Sequence, residues 1–207
     1  MSEMWLVFSV FSFLLILLIL WLVIYDFWQR FQYANQSKVR RLVYAFVEPE
    51  CVNLYLQLHD PETRVQPTIK EKVSLVDSVS RVIQNLQTMI ETHNVRIVLT
   101  TNGKLPAICS QPEKLEAALT LLLFKSLVPV IIEGGRKSEL RIGLNAHDKG
   151  LQLALSNSLN HRNQKSNEPS PIKQYINAAI KWFESDSSVK VEQLGGNLTL
   201  KFQPINP

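Results

Sequence analysis

The chain has 207 residues, 22 basic and 18 acidic, with two cysteines and 10 prolines. This composition excludes a wholly disordered chain, a disulfide-framework toxin and a multi-span transporter. The near-zero mean hydropathy averages two unlike parts. Residues 4–25 carry no charge, whereas residues 29–207 hold 22 basic and 16 acidic groups, a net positive balance.

The first predicted element is the run Met4–Tyr25, MWLVFSVFSFLLILLILWLVIY. A helix of this length spans about 33 Å, enough for a hydrocarbon core of about 30 Å. Ser9 and Ser12 can return their hydroxyls to carbonyls one turn back, so neither opposes insertion. Trp5 sits near one end and Trp21, Tyr25 and Trp28 near the other, positions where amphipathic rings favour the headgroup layer. A cleaved signal peptide fits less well: no base precedes the run, the run is too long, and no small-residue cleavage site comes after it. Arg30, Lys38, Arg40 and Arg41 lie within about 16 residues of its end. Positive charge stays on the cytoplasmic side, so the expected topology is a single-pass anchor with the C-terminal part on the cytoplasmic or stromal-equivalent side. The same basic group serves topology and headgroup contact, and no nucleic-acid partner is expected.

Residues 29–70 are expected to form a juxtamembrane connector of short elements and loop, with one helix leaving the membrane as the alternative. Val39–Val47 is mostly apolar, and Pro49, Pro61 and Pro67 punctuate the stretch after it. Cys51 and Cys109 are too few for a framework, and the apolar surroundings of Cys109 read as core.

From Glu71 the pattern becomes regular. Ser74, three residues before Asp77, is an N-cap signal. Leu75, Val79, Val82, Ile83, Leu86 and Ile90 recur at three- and four-residue steps, predicting a helix to about Thr92. Val95–Thr100 reads as a strand closing at Asn102-Gly103. A second helix starts near Pro112, with Ser110 or Gln111 as cap and Glu113 placed for a capping box. Its far half, Leu121–Ile132, is apolar on all sides and reads first as core. Glu133-Gly134-Gly135-Arg136 is a predicted turn. Leu140, Ile142 and Leu144, then Leu151, Leu153 and Leu155, alternate as two strands of a hairpin. Asn157–Ser170 is polar and without period. Pro171 opens a third helix to about Glu184, and two strands around Gly195-Gly196 end the chain. Antiparallel strand pairs with helices available for one face imply an α+β fold, a two-layer α/β sandwich with a mixed, mainly antiparallel sheet behind the N-terminal transmembrane helix. The predicted organisation is an anchor over 1–28, the connector over 29–70 and a domain over 71–207.

These elements together resemble the ATP-binding domain of sensor histidine kinases, the GHKL or Bergerat-fold ATPase family. Ser74-Leu75-Val76-Asp77 before a long helix resembles that domain's opening. Gln111-Pro112-Glu113-Lys114-Leu115 resembles the Asp-Pro-Glu-Arg-Leu that starts its N-box helix. Glu133-Gly134-Gly135-Arg136 resembles the Pro-Glu-Gly-Gly that succeeds that helix, and Leu194-Gly195-Gly196-Asn197 resembles the closing Gly-Gly turn. The resemblance covers about two-thirds of the chain. It rests on order and spacing rather than on any single motif.

The resemblance also implies where ligand residues would lie, and those positions have changed. Alignment from Pro112 puts Lys125 where the family carries its Mg²⁺-binding Asn, with Leu121 one turn earlier. An ammonium has no lone pair to offer a metal. The adenine-reading Asp-x-Gly-x-Gly corresponds to Ser156-Asn157-Ser158-Leu159-Asn160, in which Asn157 replaces the Asp and both glycines are missing. The phosphate-wrapping lid would fall within Asn160–Ile172, which contains no glycine and hence no evident backbone nest. His59-Asp60 with Thr63-Arg64 superficially matches the family's phosphoacceptor box. Pro61 and the short distance to Ser74 leave no room for the hairpin that box requires.

No catalytic residue, cofactor or metal site is therefore expected, nor nucleotide as a partner. His93, His147 and His161 lack partners at metal-ligand spacing, and His93 reads as a helix-end cap. Arg136, Lys137 and Arg141 mix with Glu133 and Glu139 as a solvated edge. The expected function is non-enzymatic: a membrane-bound pseudo-ATPase domain acting as a protein-interaction module, either an accessory subunit or an assembly factor of a membrane complex. The alternatives are a regulatory pseudokinase that modulates a sensor kinase, and a diverged ATP-binding enzyme with relocated ligands.

Overall fold

The computed structural model describes residues 2–59, 71–133, 138–147, 150–159, 170–185, 189–194 and 197–203, with the side chains of 2–13, 16, 32, 33, 147 and 194 outside that description. The chain divides into two compact units, residues 1–42 and 43–207. Helix α1, Ser2–His59, contributes to both.

In the first unit, Leu14, Leu15, Leu17–Ile24, Phe27, Trp28 and Phe31 are all exposed. Trp21 stacks on Tyr25 with ring centroids 5.5 Å apart, and the Tyr25 hydroxyl accepts from the Gln29 amide at 2.8 Å. Arg30 pairs with Asp26 at 2.9 Å, one turn back. Of the two expectations for the connector, the structure has the helix rather than the short elements: α1 continues as far as His59. Pro49 lies inside it without ending it. Proline removes the amide that would bond the Ala45 carbonyl, but Ala45 and Pro49 are both exposed, so water can take that carbonyl.

In the second unit the last turns of α1 bury Val43, Val47, Cys51, Leu54 and Leu58, one stripe at steps of four, four, three and four. The rest of the unit contains β1 (Glu71–Val73), α2 (Leu75–Asn85), α3 (Gln87–Thr92), β2 (Arg96–Asn102), β3 (Ile108–Ser110), α4 (Pro112–Glu133), β4 (Glu139–His147), β5 (Gly150–Asn157), α5 (Lys173–Ser185), β6 (Val189–Leu194) and β7 (Asn197–Phe202). Ser74 caps α2, its hydroxyl accepting from the Asp77 amide at 3.4 Å. The helix expected to reach Thr92 breaks at Leu86, where φ −90° and ψ 2° leave the helical region. The break leaves Leu86, Met89 and Val95 all buried.

Among the described residues five strands form the main sheet in the order β2-β4-β5-β7-β6, and β1 pairs with β3 in a small antiparallel ribbon that the sequence pattern does not show. β2 runs parallel to β4, and the other three pairings are antiparallel. Alternation sets the faces: Leu140, Ile142 and Leu144 of β4, Leu151, Leu153 and Leu155 of β5, and Leu198, Leu200 and Phe202 of β7 are all buried. The residues between them, from Arg141 to Lys201, are half-buried or exposed on the opposite face. At the end of β2, Gly103 takes φ +80°, as the Asn-Gly turn requires; a Cβ there would sit 3.1 Å from that of Ala146.

α4 is the central helix, packed against α2, α5, β4 and β5. Leu115, Leu121, Leu122 and Leu127 are fully enclosed. Burial of each such side chain stabilises the fold by about 1.5–3 kcal/mol. Among the described residues α4 is the helix long and apolar enough to cross a bilayer, but its most apolar stretch is 83 % buried within the domain, which is what a core helix requires. The cysteines are free thiols: Cys51 is buried, while Cys109 is only half-buried, a correction to its reading as core.

Candidate functional site

Of the positions singled out by sequence, Asn157 lies where the second half of α4 meets the end of β5, and Lys125 precedes its α4 partner Ser126. Asn157 is the last residue of β5. Its amide nitrogen donates to the Ser126 carbonyl of α4 at 3.2 Å, and its side-chain oxygen accepts from the Leu159 amide at 3.2 Å, closing an Asx turn. Pro129 sits one turn beyond the adjacent Lys125, whose carbonyl consequently has no helical donor. The turn after β5 is tied back to β4: the Ser158 amide donates to the Glu139 carbonyl at 2.9 Å, and the Glu139 amide donates to the Ser158 hydroxyl at 3.2 Å.

Lys125 lies beside this cross-link. Its ammonium donates to the side-chain oxygen of Gln193 on β6 at 2.5 Å. Partial burial lowers its pKa from the ordinary lysine value, because desolvation disfavours the charged form. Ser126 is buried, and its hydroxyl has no hydrogen-bond partner among the described residues. At the start of β4, Glu139 bonds the Arg141 guanidinium, with Arg96 3.9 Å away; these contacts hold the Glu139 carboxyl below its usual range.

These side chains do not fit a nucleotide-bound Mg²⁺. An ammonium cannot ligate the ion, and the Asn157 amide is engaged by two main-chain groups. Among the described residues no three His, Cys, Asp or Glu side chains cluster as metal ligands. The expected lid falls mainly on residues 160–169 and the two Gly-Gly turns on 134–135 and 195–196, all outside the described residues. Asp60, Thr63, Arg64, Arg136, Lys137 and His161 lie outside them as well, as does the side chain of His147. His59 ends α1, stacked on Tyr55 with centroids 4.2 Å apart. His93 is the C-cap of α3. Among the anchor residues, Trp21, Tyr25, Trp28 and Arg30 lie on the exposed surface of α1, while the Trp5 side chain is not described. Sequence reasoning does not find Ser126 or Gln193, since pairing partners in a folded domain leave no mark in local pattern.

No family model matches the sequence, and no curated protein sequence matches it. Solved structures of histidine kinases do match. The chain is similar to histidine kinase AdeS of Acinetobacter baumannii at 12 % identity over 80 % of each chain, with a TM-score of 0.50. It is also similar to the catalytic domain of histidine kinase ThkA, at 12 % identity over 64 % of this chain and 92 % of that one, TM-score 0.47. A third match is the mycobacterial sensor histidine kinase MprB, at 11 % identity over 66 % of this chain and 100 % of that one, TM-score 0.46. The α+β fold with its mixed sheet is that of the ATP-binding GHKL domain of histidine kinases, as the motif order implied.

Proposed function

We propose that this chain is a single-span membrane protein whose histidine-kinase-like domain has lost nucleotide chemistry and serves as a protein-interaction module, an accessory subunit or assembly factor of a membrane complex. The observation that carries the reading is the use made of Asn157. The side chain aligned with the adenine-reading position spends its donor on Ser126 and its acceptor on Leu159, so it ties the end of β5 to α4 and shapes the turn after it. Lys125, which the alignment puts at the metal position, brings an ammonium with no lone pair for a cation. A fold kept without its ligand groups is a scaffold, and a scaffold acts through its surface.

The anchor reading draws on the first unit. Leu17–Ile24 present an unbroken exposed apolar surface, with the Trp21–Tyr25 stack and the Arg30–Asp26 pair toward its C-terminal end. A bilayer is the solvent for which such a surface is suited, and the bases beyond it favour the cytoplasmic or equivalent side for the domain.

The test is titration of MgATP and MgADP into the full chain in lipid nanodiscs by calorimetry. The expected result is no heat of binding at millimolar nucleotide. Micromolar binding that Asn157→Ala abolishes would overturn the proposal and make the protein a nucleotide-binding enzyme candidate.

A further inference from the structure

A cavity of about 590 Å³ lies away from the Asn157 cross-link, between the end of α1 and the outer face of α5. Its walls arise from helical spacing. Tyr55, Leu58 and His59 fall at steps of three and four on one face of α1. On α5, Gln174, Tyr175, Ala178, Lys181, Trp182 and Ser185 form a stripe, while Ile176, Ala179, Ile180 and Phe183 turn the other way into the core. The same helix therefore closes the domain with one face and builds a concavity with the other.

The lining has a definite chemistry. Tyr55 meets Tyr175 edge to face with centroids 5.7 Å apart, His59 stacks on Tyr55, and Trp182 is held edge-on against Phe183 at 4.9 Å. These contacts fix the rings before any ligand arrives. The His59 Nδ1 lies 3.1 Å from the Tyr55 carbonyl; a carbonyl only accepts, so Nδ1 carries the hydrogen and Nε2 is left for another partner. Lys181 supplies an ammonium, Gln174 a side-chain amide and Ser185 a hydroxyl, and no carboxylate among the described residues lines the cavity. Its volume falls within the range of about 300–1,000 Å³ typical of small-molecule sites.

We propose that this cavity is a binding site for a small planar aromatic carboxylate, its ring between the Tyr55–Tyr175 pair and Trp182 and its carboxylate on Lys181. Aromatic walls select a flat apolar body, and the Lys181 ammonium among them selects a negative head. The site is independent of the nucleotide reading, since none of its residues belongs to that cleft.

The probes are 2-naphthoate and its uncharged counterpart 2-naphthamide, titrated into the full chain in nanodiscs with empty nanodiscs as the blank. 2-Naphthoate is expected to bind with a Kd of about 1 mM or tighter, the level that ligand-efficiency limits allow for so small a molecule. Lys181→Gln should weaken naphthoate about tenfold, and naphthamide should bind the unmodified chain about tenfold more weakly than naphthoate. Ala178→Trp, which fills the cavity, should abolish both; thermal unfolding of each variant separates occlusion from misfolding. No naphthoate binding, equal affinity for the two probes, or affinity unchanged in the folded Lys181→Gln variant would each overturn the proposal.

Discussion

The side-chain amide of Asn157 and the main-chain carbonyl of Ser126 form a cross-link between β5 and α4 that joins positions 31 residues apart. Its partner carbonyl lies in α4 one residue past Lys125, whose own carbonyl lacks a helical donor because residue 129 is proline. Asn157→Ala should destabilise the domain by about 1–2 kcal/mol in urea unfolding, the cost of losing the tie to α4 and leaving the Leu159 amide without its acceptor. Asn157→Asp should cost more, because a carboxylate brought against the carbonyl offers no hydrogen. Neither variant should acquire MgATP binding. An unchanged unfolding midpoint in the alanine variant would remove the structural role given to this residue.

Ser78 on α2 is fully buried and its hydroxyl has no hydrogen-bond partner among the described residues. Ser78→Ala should raise stability by about 1 kcal/mol, since it removes an unsatisfied polar atom and favours the helix. The midpoint of thermal unfolding reads the sign directly. A lower midpoint would mean that the hydroxyl has a bonding role.

The Lys125 ammonium is partly desolvated, and its pKa in the folded chain is lowered from 10.5. At neutral pH both folded and unfolded chains carry the proton, so the folded state bears the whole desolvation penalty. Above the folded pKa the unfolded chain holds more protons, and stability attributable to Lys125 rises until pH passes 10.5. Lys125→Met should therefore stabilise the protein at pH 7, with the advantage shrinking as pH climbs through the window just below 10.5. Denaturant unfolding of both proteins at several pH values measures it, and a pH-independent difference would contradict the assignment.

Cys51 is enclosed by the second unit, and burial, reinforced by Glu50 and Glu48, pushes its thiol up to about 12. At pH 8 only about one molecule in 10⁴ would carry the thiolate there. Iodoacetamide should modify the half-buried Cys109 of the folded chain first and reach Cys51 only on unfolding. Peptide mass spectrometry after timed labelling checks the order. Early modification of Cys51 would show that the end of α1 opens readily.

Much of this architecture is written in alternation. The β4–β5 hairpin and the β7 strand bury every second residue, and α5 buries Ile176, Ala179, Ile180 and Phe183, so period alone finds them. The three-residue strands β1 and β3 are too short to show a period. The extension of α1 past residue 29 is legible in principle, since Val43, Val47, Cys51, Leu54 and Leu58 trace a helical stripe. Pro49 obscures it, because a proline in a bare sequence reads as punctuation, whereas its exposed position lets the helix pass. For the cleft, resemblance picks out Asn157 and Lys125, but what they hold depends on tertiary approach. Ser126 and Gln193 are brought to them by the packing of α4 against the sheet.

The parallel pairing of β2 with β4 is a long closure at one edge of the sheet. β4 with β5 and β6 with β7 are near neighbours in the chain, whereas β2 finds β4 only through the register Arg96↔Glu139 to Asn102↔Asn145, with the whole of α4 between them. Its loop must close before any of those register contacts contributes. β2 also lies at the sheet's edge with Leu99 still partly in water. As a partly wet edge strand it should give up its pairing more readily than the central strand, so its amides should exchange hydrogen ahead of those of β5.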